Sequence, residues 1–290
     1  RMQVDFPLRR VNRRTRPHLR HTIRDNVAQA APVLQCANYL QAQAFAVHRP
    51  TMDLVRRVWD QGGGVLGIPH RESPPQPEFP LREPWDKATA PPAEVETFHA
   101  WKRKVHQWHT AKKDLRKAQQ SIAQALRATV MRNEGPVWFP SFIDSRGRYY
   151  YRGLLNPQGS DIAKAVLHFH ERRPLGTSGE YWLKVHIANC FGQDKARFKA
   201  RAAWVDLHWE ALCAGLDAPE DCDLYRDNHD APIAAVAACW ELREAKRYAA
   251  QHGSSAGYCT GIPVHMDATC SGLQHFSALL RDPVGGHYVN

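Results

Sequence analysis

Apolar residues recur at helical spacing along much of the chain. In the longest such pattern, residues 94–132, large apolar side chains return every seven residues: Trp101, Trp108, Leu115 and Ile122. A repeat of this period marks a packed helix face, and it is also the period of a coiled-coil seam. Shorter helical patterns cover residues 181–187, 198–212 and 232–248. Another covers residues 19–34, where Pro32 is expected to kink or split the helix.

Short strands are predicted at two places. Residues 137–143 and 148–152 have the composition of two strands on either side of a turn at 144–147. Ile262, Val264 and Met266 alternate as one face of a strand would, and a helical pattern over residues 273–280 follows after Ser271, which can cap it. Residues 61–92 are crowded with glycine and proline, which predicts an irregular, exposed segment. The fold class predicted is therefore α+β, mostly helical.

The net charge of +10 changes this picture, because such an excess favours polyanionic partners, nucleic acid first. Basic residues decorate the remaining faces of the 94–132 helix, either as a solvated surface or as an arm that guides a nucleic-acid backbone. The seven cysteines form no C-x-x-C pair, which argues against a zinc site and suits a reducing compartment. No apolar run of about 18 residues is present, so neither a transmembrane helix nor a membrane partner is expected.

Asp267 is the first candidate for chemistry. It follows the predicted strand and precedes a small-residue turn into a helix, so it would lie at the rim of a cleft. A carboxylate in that position suits Mg²⁺, which binds one or two carboxylates together with substrate phosphates. From spacing alone, Asp267 could equally be a helix cap.

The predicted hairpin is the second candidate. Arginines and tyrosines concentrate in its turn and second strand, where guanidinium groups match phosphate oxygens and tyrosine rings can stack on bases. Alternation puts Arg148, Tyr150 and Arg152 on one face and Tyr149 and Tyr151 on the other. The alternative is a plain hairpin held by an internal Asp–Arg pair.

The stretch from Ile262 to Phe276 resembles motif A of the single-subunit, bacteriophage-type DNA-directed RNA polymerases, and Cys270-Ser271-Gly272 is closer to the phage branch than to the organellar one. The resemblance implies that Asp267 holds two catalytic magnesium ions. It also implies that the backbone carbonyl of Ala268 is a metal ligand, although many members have Gly there.

Further motifs of the same family lie earlier in the chain and in the expected order. Asp144-x-x-Gly147-Arg148 resembles a motif that contacts the template strand and the hybrid, which implies those contacts for Arg146, Arg148 and Tyr150. Residues 156–164 and 181–195 resemble the palm and its insertion. By this resemblance Lys164 lies near nucleic acid and Lys195 near the phosphates of the incoming nucleotide, although taken alone each lysine reads as a surface charge.

The resemblance also implies a domain organisation, that of a right-hand polymerase fragment. Residues 1–48 would end a helical N-terminal domain, 49–134 would form the thumb with its long helix, and 135–172 the first part of the palm. Residues 173–257 would be the palm insertion, and 258–290 the second part of the palm with motif A and the start of the fingers. Position 1 is Arg rather than Met, and we expect a fragment cut at both ends.

The function implied is two-metal nucleotidyl transfer by the intact enzyme, with a DNA template, nascent RNA and nucleoside triphosphates as partners. We expect a monomer that acts in the cytoplasm of a phage-infected cell. The fragment alone is expected to be inactive, because the family's second metal-binding aspartate, in a His-Asp-Ser motif, and its nucleotide-binding fingers helix come later. One alternative is a non-catalytic nucleic-acid-binding module. Another is a thiol hydrolase using Cys270 and His275, which a helix would hold apart.

Overall fold

The computed structural model describes residues 27–82, 84–131, 135–144, 147–153, 155–266 and 272–289. These residues form an α+β fold that is mostly helical, as predicted. The helices are α1 (Val27–Ala42), α2 (Arg49–Asp60), α3 (Pro92–Met131), α4 (Asp161–Val166), α5 (Gly176–Cys190), α6 (Phe198–Ala214), α7 (Asp223–Arg226), α8 (Pro232–His252), α9 (Gly272–Leu280) and α10 (Pro283–Val289). The strands are β1 (Phe45–Val47), β2 (Ser141–Ile143), β3 (Tyr149–Tyr151), β4 (Leu167–Phe169), β5 (Arg173–Pro174) and β6 (Cys259–Thr260).

The strands pair two by two. β2 and β3 form an antiparallel hairpin, β1 pairs antiparallel with β4, and β5 pairs antiparallel with β6. The β1–β4 pair joins residues that are far apart in the chain, with Phe45 opposite Phe169 and Val47 opposite Leu167. It therefore ties the region around α2 to the region that precedes α5.

The main hydrophobic core lies among α2, α4, α5, α6 and α8. Helix α8 contributes most, because its buried residues include small side chains that allow close packing of its neighbours. Fully buried core residues from these helices include Leu54, Val166, Ile187, Val205 and Leu242. A smaller cluster of Phe45, Phe139 and Leu167 packs beneath the hairpin. The core thus holds α8 rigidly beside α4 and α5.

The long helix α3 has the bounds that its periodicity predicts, within two residues at each end. In its stripe of large apolar residues, Trp101 and Trp108 contact the proline-rich segment, residues 69–92, whereas Ile122 packs in the main core. The indole nitrogen of Trp101 donates to the carbonyl oxygen of Pro77 at 3.1 Å, and that of Trp108 donates to Pro74 at 2.9 Å. Gln119 donates to the carbonyl oxygen of His70 at 3.0 Å. Most of the segment is exposed, as predicted, yet its backbone is the partner of the helix face.

Pro32 lies inside α1, so the helix is not split there. One prediction about the backbone is wrong. Residues 262–266 form no strand, and Val264 and Met266 are 56% and 92% exposed. A strand requires a hydrogen-bonded neighbour, and within the described parts of the chain the pairing of this segment ends with β6. The predicted helix after it is confirmed as α9.

None of the described helices is both long and apolar enough to cross a membrane. Six cysteines lie in the described residues, and all six are free thiols.

Candidate functional site

The turn of the β2–β3 hairpin is organised by Asp144. Its carboxylate accepts a hydrogen bond from the backbone N–H of Arg148 at 3.0 Å, and its carbonyl oxygen accepts one from Gly147 at 3.1 Å. Gly147 has a φ of 84°, a conformation that favours glycine. Asp144 therefore shapes the turn through hydrogen bonds from backbone N–H groups. Arg148 itself is an exposed residue.

One face of the hairpin packs on α1. The hydroxyl of Tyr149 donates to the carbonyl oxygen of Val33 at 2.9 Å, and that of Tyr151 donates to Leu40 at 3.2 Å. Burial raises the pKa of both tyrosines. Tyr149 and Tyr151 thus lie on the packed face, as alternation along the strand predicts.

The opposite face carries the candidate template contacts. The ring of Tyr150 stacks on Phe142 with centroids 5.6 Å apart, and the guanidinium of Arg152 lies over the same Phe142 ring at 5.6 Å. Arg148 and Arg152 are exposed and Tyr150 is half-buried. The face therefore offers two guanidinium groups beside the half-buried ring of Tyr150, which rests on the buried Phe142. Arg146, the remaining candidate of this motif, lies outside the described residues.

Lys164 lies in α4, on the wall of a cavity of about 190 Å³. Its ammonium group is 3.5 Å from the carboxylate of Asp161. His265, two residues before Asp267, lines the same cavity. His265 is exposed overall, and its pKa is lowered first by partial loss of hydration against the cavity wall and then by the positive charge of Lys164. The fold thus brings Lys164 beside the segment that leads to Asp267.

Lys195 lies in the loop between α5 and α6 and is 91% exposed, with its ammonium group 2.7 Å from the carboxylate of Asp194. Arg201 holds this loop, because its guanidinium donates to the carbonyl oxygens of Ala196 and Asp194 and to the side chain of Asn189. Lys195 is not among the residues that line the cavity beside Lys164. The structure therefore does not bring these two lysines together.

Asp267 and Ala268 lie outside the described residues, as do Cys270 and Ser271. The described chain approaches them from β6 and resumes at α9, whose apolar residues Leu273 and Phe276 are 65% and 61% exposed. His275 is an exposed residue of α9. The metal-binding role of Asp267 and the pairing of Cys270 with His275 stay predictions.

Helix α3 presents the basic surface that its sequence predicts. Lys102, Arg103 and Lys104 are exposed, whereas Lys112 is half-buried because its ammonium group lies 4.3 Å from the centre of the Trp108 ring. Lys102, Arg103 and Lys104 thus form a basic strip of α3 that is open to solvent.

Comparison with known proteins places this geometry in a family. A sequence model described as DNA-dependent RNA polymerase matches residues 173–290. Over 273 residues the chain is 46% identical to the DNA-directed RNA polymerase of Pseudomonas phage phiKMV, a match that covers 94% of this chain and 33% of that protein. The chain belongs to the family of single-subunit, bacteriophage-type RNA polymerases.

Other members of this family match a smaller part of this chain or have a lower sequence identity to it. The T7 RNA polymerase of Escherichia phage T7 is 36% identical over 67% of this chain and 21% of that protein. A mitochondrial DNA-directed RNA polymerase of Arabidopsis thaliana is 33% identical over 90% of this chain and 26% of that protein. The chain spans about a third or less of the length of these polymerases.

One group of residues in this polymerase chain escaped the sequence analysis. His48, His168 and Glu241 come from three distant parts of the chain and bring possible ligand atoms within 4.8 Å of one another. Burial is the main reason that the pKa of His48 is lowered to about 4 and that of His168 to about 3. Nε2 of His168 is buried without a hydrogen-bond partner among the described residues. No local pattern in the sequence signals this cluster.

These three residues are nevertheless poorly arranged for a metal ion. The two imidazole rings stack with centroids 4.2 Å apart and planes only 6° from parallel. Their lone pairs lie in the ring planes, so one ion could not meet both without a large rotation of the rings. The carboxylate of Glu241 is also 3.6 Å from the guanidinium of Arg172, whose charge opposes a cation. The cluster is therefore a buried polar network.

Proposed function

We propose that this chain is part of an enzyme that transcribes a DNA template into RNA from nucleoside triphosphates by two-metal nucleotidyl transfer. The observation that carries the proposal is the 46% identity to a phage RNA polymerase over 94% of the chain. The hairpin face of Arg148 and Tyr150 and the position of Lys164 beside the segment leading to Asp267 support it.

Asp267 and the backbone carbonyl of Ala268 would hold the two magnesium ions. A carboxylate and a carbonyl are hard oxygen ligands, the type that Mg²⁺ prefers. The described segment that leads to Asp267 is open to solvent at Val264 and Met266, so a triphosphate has access to that segment. When bound, the ions would activate the attacking hydroxyl and stabilise the leaving oxygen.

The other candidate residues would position nucleic acid and nucleotide. Arg148 and Arg146 would bind backbone phosphates of the template, and Tyr150 would contact an adjacent base, since arginine forks suit phosphates and aromatic rings stack on bases. Lys164 would add positive charge where the hybrid passes the cavity beside α4. Lys195, with its side chain 91% exposed, would reach the phosphates of the incoming nucleotide.

We also propose the domain organisation of a right-hand polymerase fragment, with α3 as the thumb helix and α5 to α8 as the palm insertion. We propose a monomer that acts in the cytoplasm of a phage-infected cell, because the identity to the phage polymerase exceeds that to the plant mitochondrial one. The 290 residues contain no His-Asp-Ser sequence. We therefore expect that they bind nucleic acid by themselves without polymerising.

The test is Asp267→Asn in the full-length polymerase, with Asp217→Asn as the matched control. Asp217 is 88% exposed and its carboxylate is 3.2 Å from Arg243, so losing its charge affects only a surface ion pair. The Asp267 variant should bind template normally and incorporate no nucleotides on a primed RNA–DNA scaffold, while the control variant extends it. Retained elongation by the Asp267 variant would refute the metal-binding role.

A second candidate function is a non-catalytic nucleic-acid-binding module. The exposed basic strip of α3 and the net charge of +10 favour binding as such. The two proposals separate in the same assay, because a module of this kind would bind the scaffold tightly in full-length form and yet incorporate nothing at any magnesium concentration.

A further inference from the structure

Glu241 is a buried carboxylate at the centre of a network that reaches the approach to Asp267. Its side chain is 4% exposed. One carboxylate oxygen accepts hydrogen bonds from the hydroxyls of Tyr258 at 3.0 Å and Thr260 at 2.6 Å. The other is 3.6 Å from the guanidinium of Arg172 and 3.9 Å from Nε2 of His48.

The partners of Glu241 fix the backbone that leads to Asp267. The hydroxyl of Thr260 donates to Glu241 and at the same time accepts a hydrogen bond from the backbone N–H of Ile262 at 3.1 Å. The next carbonyl oxygen, of Gly261, accepts one from the backbone N–H of Phe169 at 2.7 Å. Val264, His265 and Met266 are exposed. Thr260 and Gly261, followed by Ile262 against the main core and the buried Pro263, are therefore the last anchor points of the described chain before Asp267.

Glu241 itself is held by a rigid element. It lies in the middle of α8, where Ala237, Ala238, Leu242 and Ala245 are at most 1% exposed and pack in the main core. A carboxylate on such a helix has little freedom to shift. Hydrogen bonds to a charged acceptor are also shorter and stronger than neutral ones. Through Glu241, α8 thus holds β6 in place by the hydroxyl groups of Tyr258 and Thr260.

We propose that Glu241 is a positioning residue for the polymerase reaction, which sets the place of Asp267 by holding Thr260 and Tyr258. The inference rests on the proposed function, because it assigns Glu241 a role only if Asp267 binds the catalytic ions. Groups that bind reacting atoms must be held within a fraction of an ångström, and a misplacement of about 1 Å can cost about a hundredfold in rate. A loosened anchor seven residues away should therefore reduce the rate of the chemical step.

The experiment compares two pairs of variants in the full-length polymerase. Thr260→Val removes the hydroxyl while keeping the branched shape, and Thr260→Ser restores the hydroxyl. Glu241→Gln removes the charge within α8. Glu244→Gln makes the same change on the same helix at a side chain that is 46% exposed and pairs with Arg247 at the surface. Measurements are kcat, the KM for nucleoside triphosphate, the magnesium concentration for half-maximal rate, and the melting temperature.

Thr260→Val and Glu241→Gln should lower kcat about tenfold or more and raise the magnesium concentration needed, with the KM for nucleotide changed less than about twofold. Thr260→Ser and Glu244→Gln should behave as the unaltered enzyme does. Rates are taken well below each melting temperature, on folded protein. Unchanged kcat and magnesium dependence in Thr260→Val, with only its melting temperature lowered, would overturn the proposal and leave Glu241 a structural role.

Failure of this inference and failure of the proposed function give different results. If Asp267→Asn still polymerises, the proposed metal site is wrong and the positioning role falls with it. If Asp267→Asn is inactive and Thr260→Val retains full kcat, the metal site stands and only the positioning role of Glu241 is refuted.

Discussion

Acidification should destabilise this chain through the stacked pair His48 and His168. The rings are 83% and 94% buried, and they lie parallel with centroids 4.2 Å apart. Burial is the main cause that lowers the pKa of His48 to about 4 and that of His168 to about 3. The positive charge of Arg172 adds to the effect on His48, and the neighbouring His48 adds to the effect on His168. Both rings are therefore neutral in the folded chain at pH 5.

The sign follows from comparing the two states. In the unfolded chain each imidazole has a pKa near 6.5, so below that pH the unfolded state binds protons that the folded state does not. The free energy of unfolding then falls as the pH falls from 6.5, and the loss levels off once the folded rings titrate near pH 4 and 3. At pH 5 the loss is about 2 kcal/mol for each ring, on the order of 4 kcal/mol for the pair.

Urea unfolding at pH 7 and pH 5, followed by the fluorescence of the nine tryptophans, measures this loss. His168→Phe keeps a ring for His48 to stack on and removes one titrating group, so about half of the loss should disappear. His252→Gln, at an exposed histidine near the end of α8, should leave the loss unchanged. Carboxylates titrate equally in all three proteins. An identical pH dependence in His168→Phe and the unaltered chain would refute the reasoning.

Three further outcomes are expected. Tyr151→Phe should lower the free energy of unfolding by about 1 kcal/mol, because it removes the hydrogen bond to the Leu40 carbonyl. An unchanged midpoint of urea unfolding would show that this bond does not stabilise the fold. Arg57→Met should cost about 2 kcal/mol because it strands the buried carboxylate of Glu220, and adding Glu220→Gln should recover part of that loss. Binding of this chain to single-stranded DNA should weaken steeply with salt, and Arg148→Ala should weaken it further without shifting the melting temperature; salt-independent binding would contradict both.

Local patterns predicted the elements whose reasons are local. The seven-residue stripe predicts α3 because every residue that makes the pattern lies on that one helix. The alternation at Tyr149 and Tyr151 predicts the packed face of the hairpin, and the hydroxyls of both residues find partners on the adjacent α1. In both cases the repeat of side chains can be seen in the sequence, because all of its residues belong to one helix or one strand.

Features that depend on a partner elsewhere in the chain could not be read in the same way. The stripe on α3 requires a covering surface, and nothing in its period says that a proline-rich backbone supplies part of it. Alternation at Ile262, Val264 and Met266 describes a strand face, but no described strand continues beside it. The network of His48, His168 and Glu241 joins three distant segments, so each residue alone reads as an ordinary polar position.

The proline-rich segment limits how α3 can bend. It runs antiparallel to the helix and is bonded to it from Pro77 at Trp101 to His70 at Gln119. Seven extended residues reach roughly 25 Å, whereas the eighteen helical residues between the two contacts rise about 27 Å. The segment is therefore nearly taut, with side-chain reach closing the difference. If α3 bends so that the side facing the proline-rich segment becomes longer, the segment must stretch. If α3 bends the opposite way, the segment slackens. We therefore expect α3 to bend more easily toward the segment than away from it.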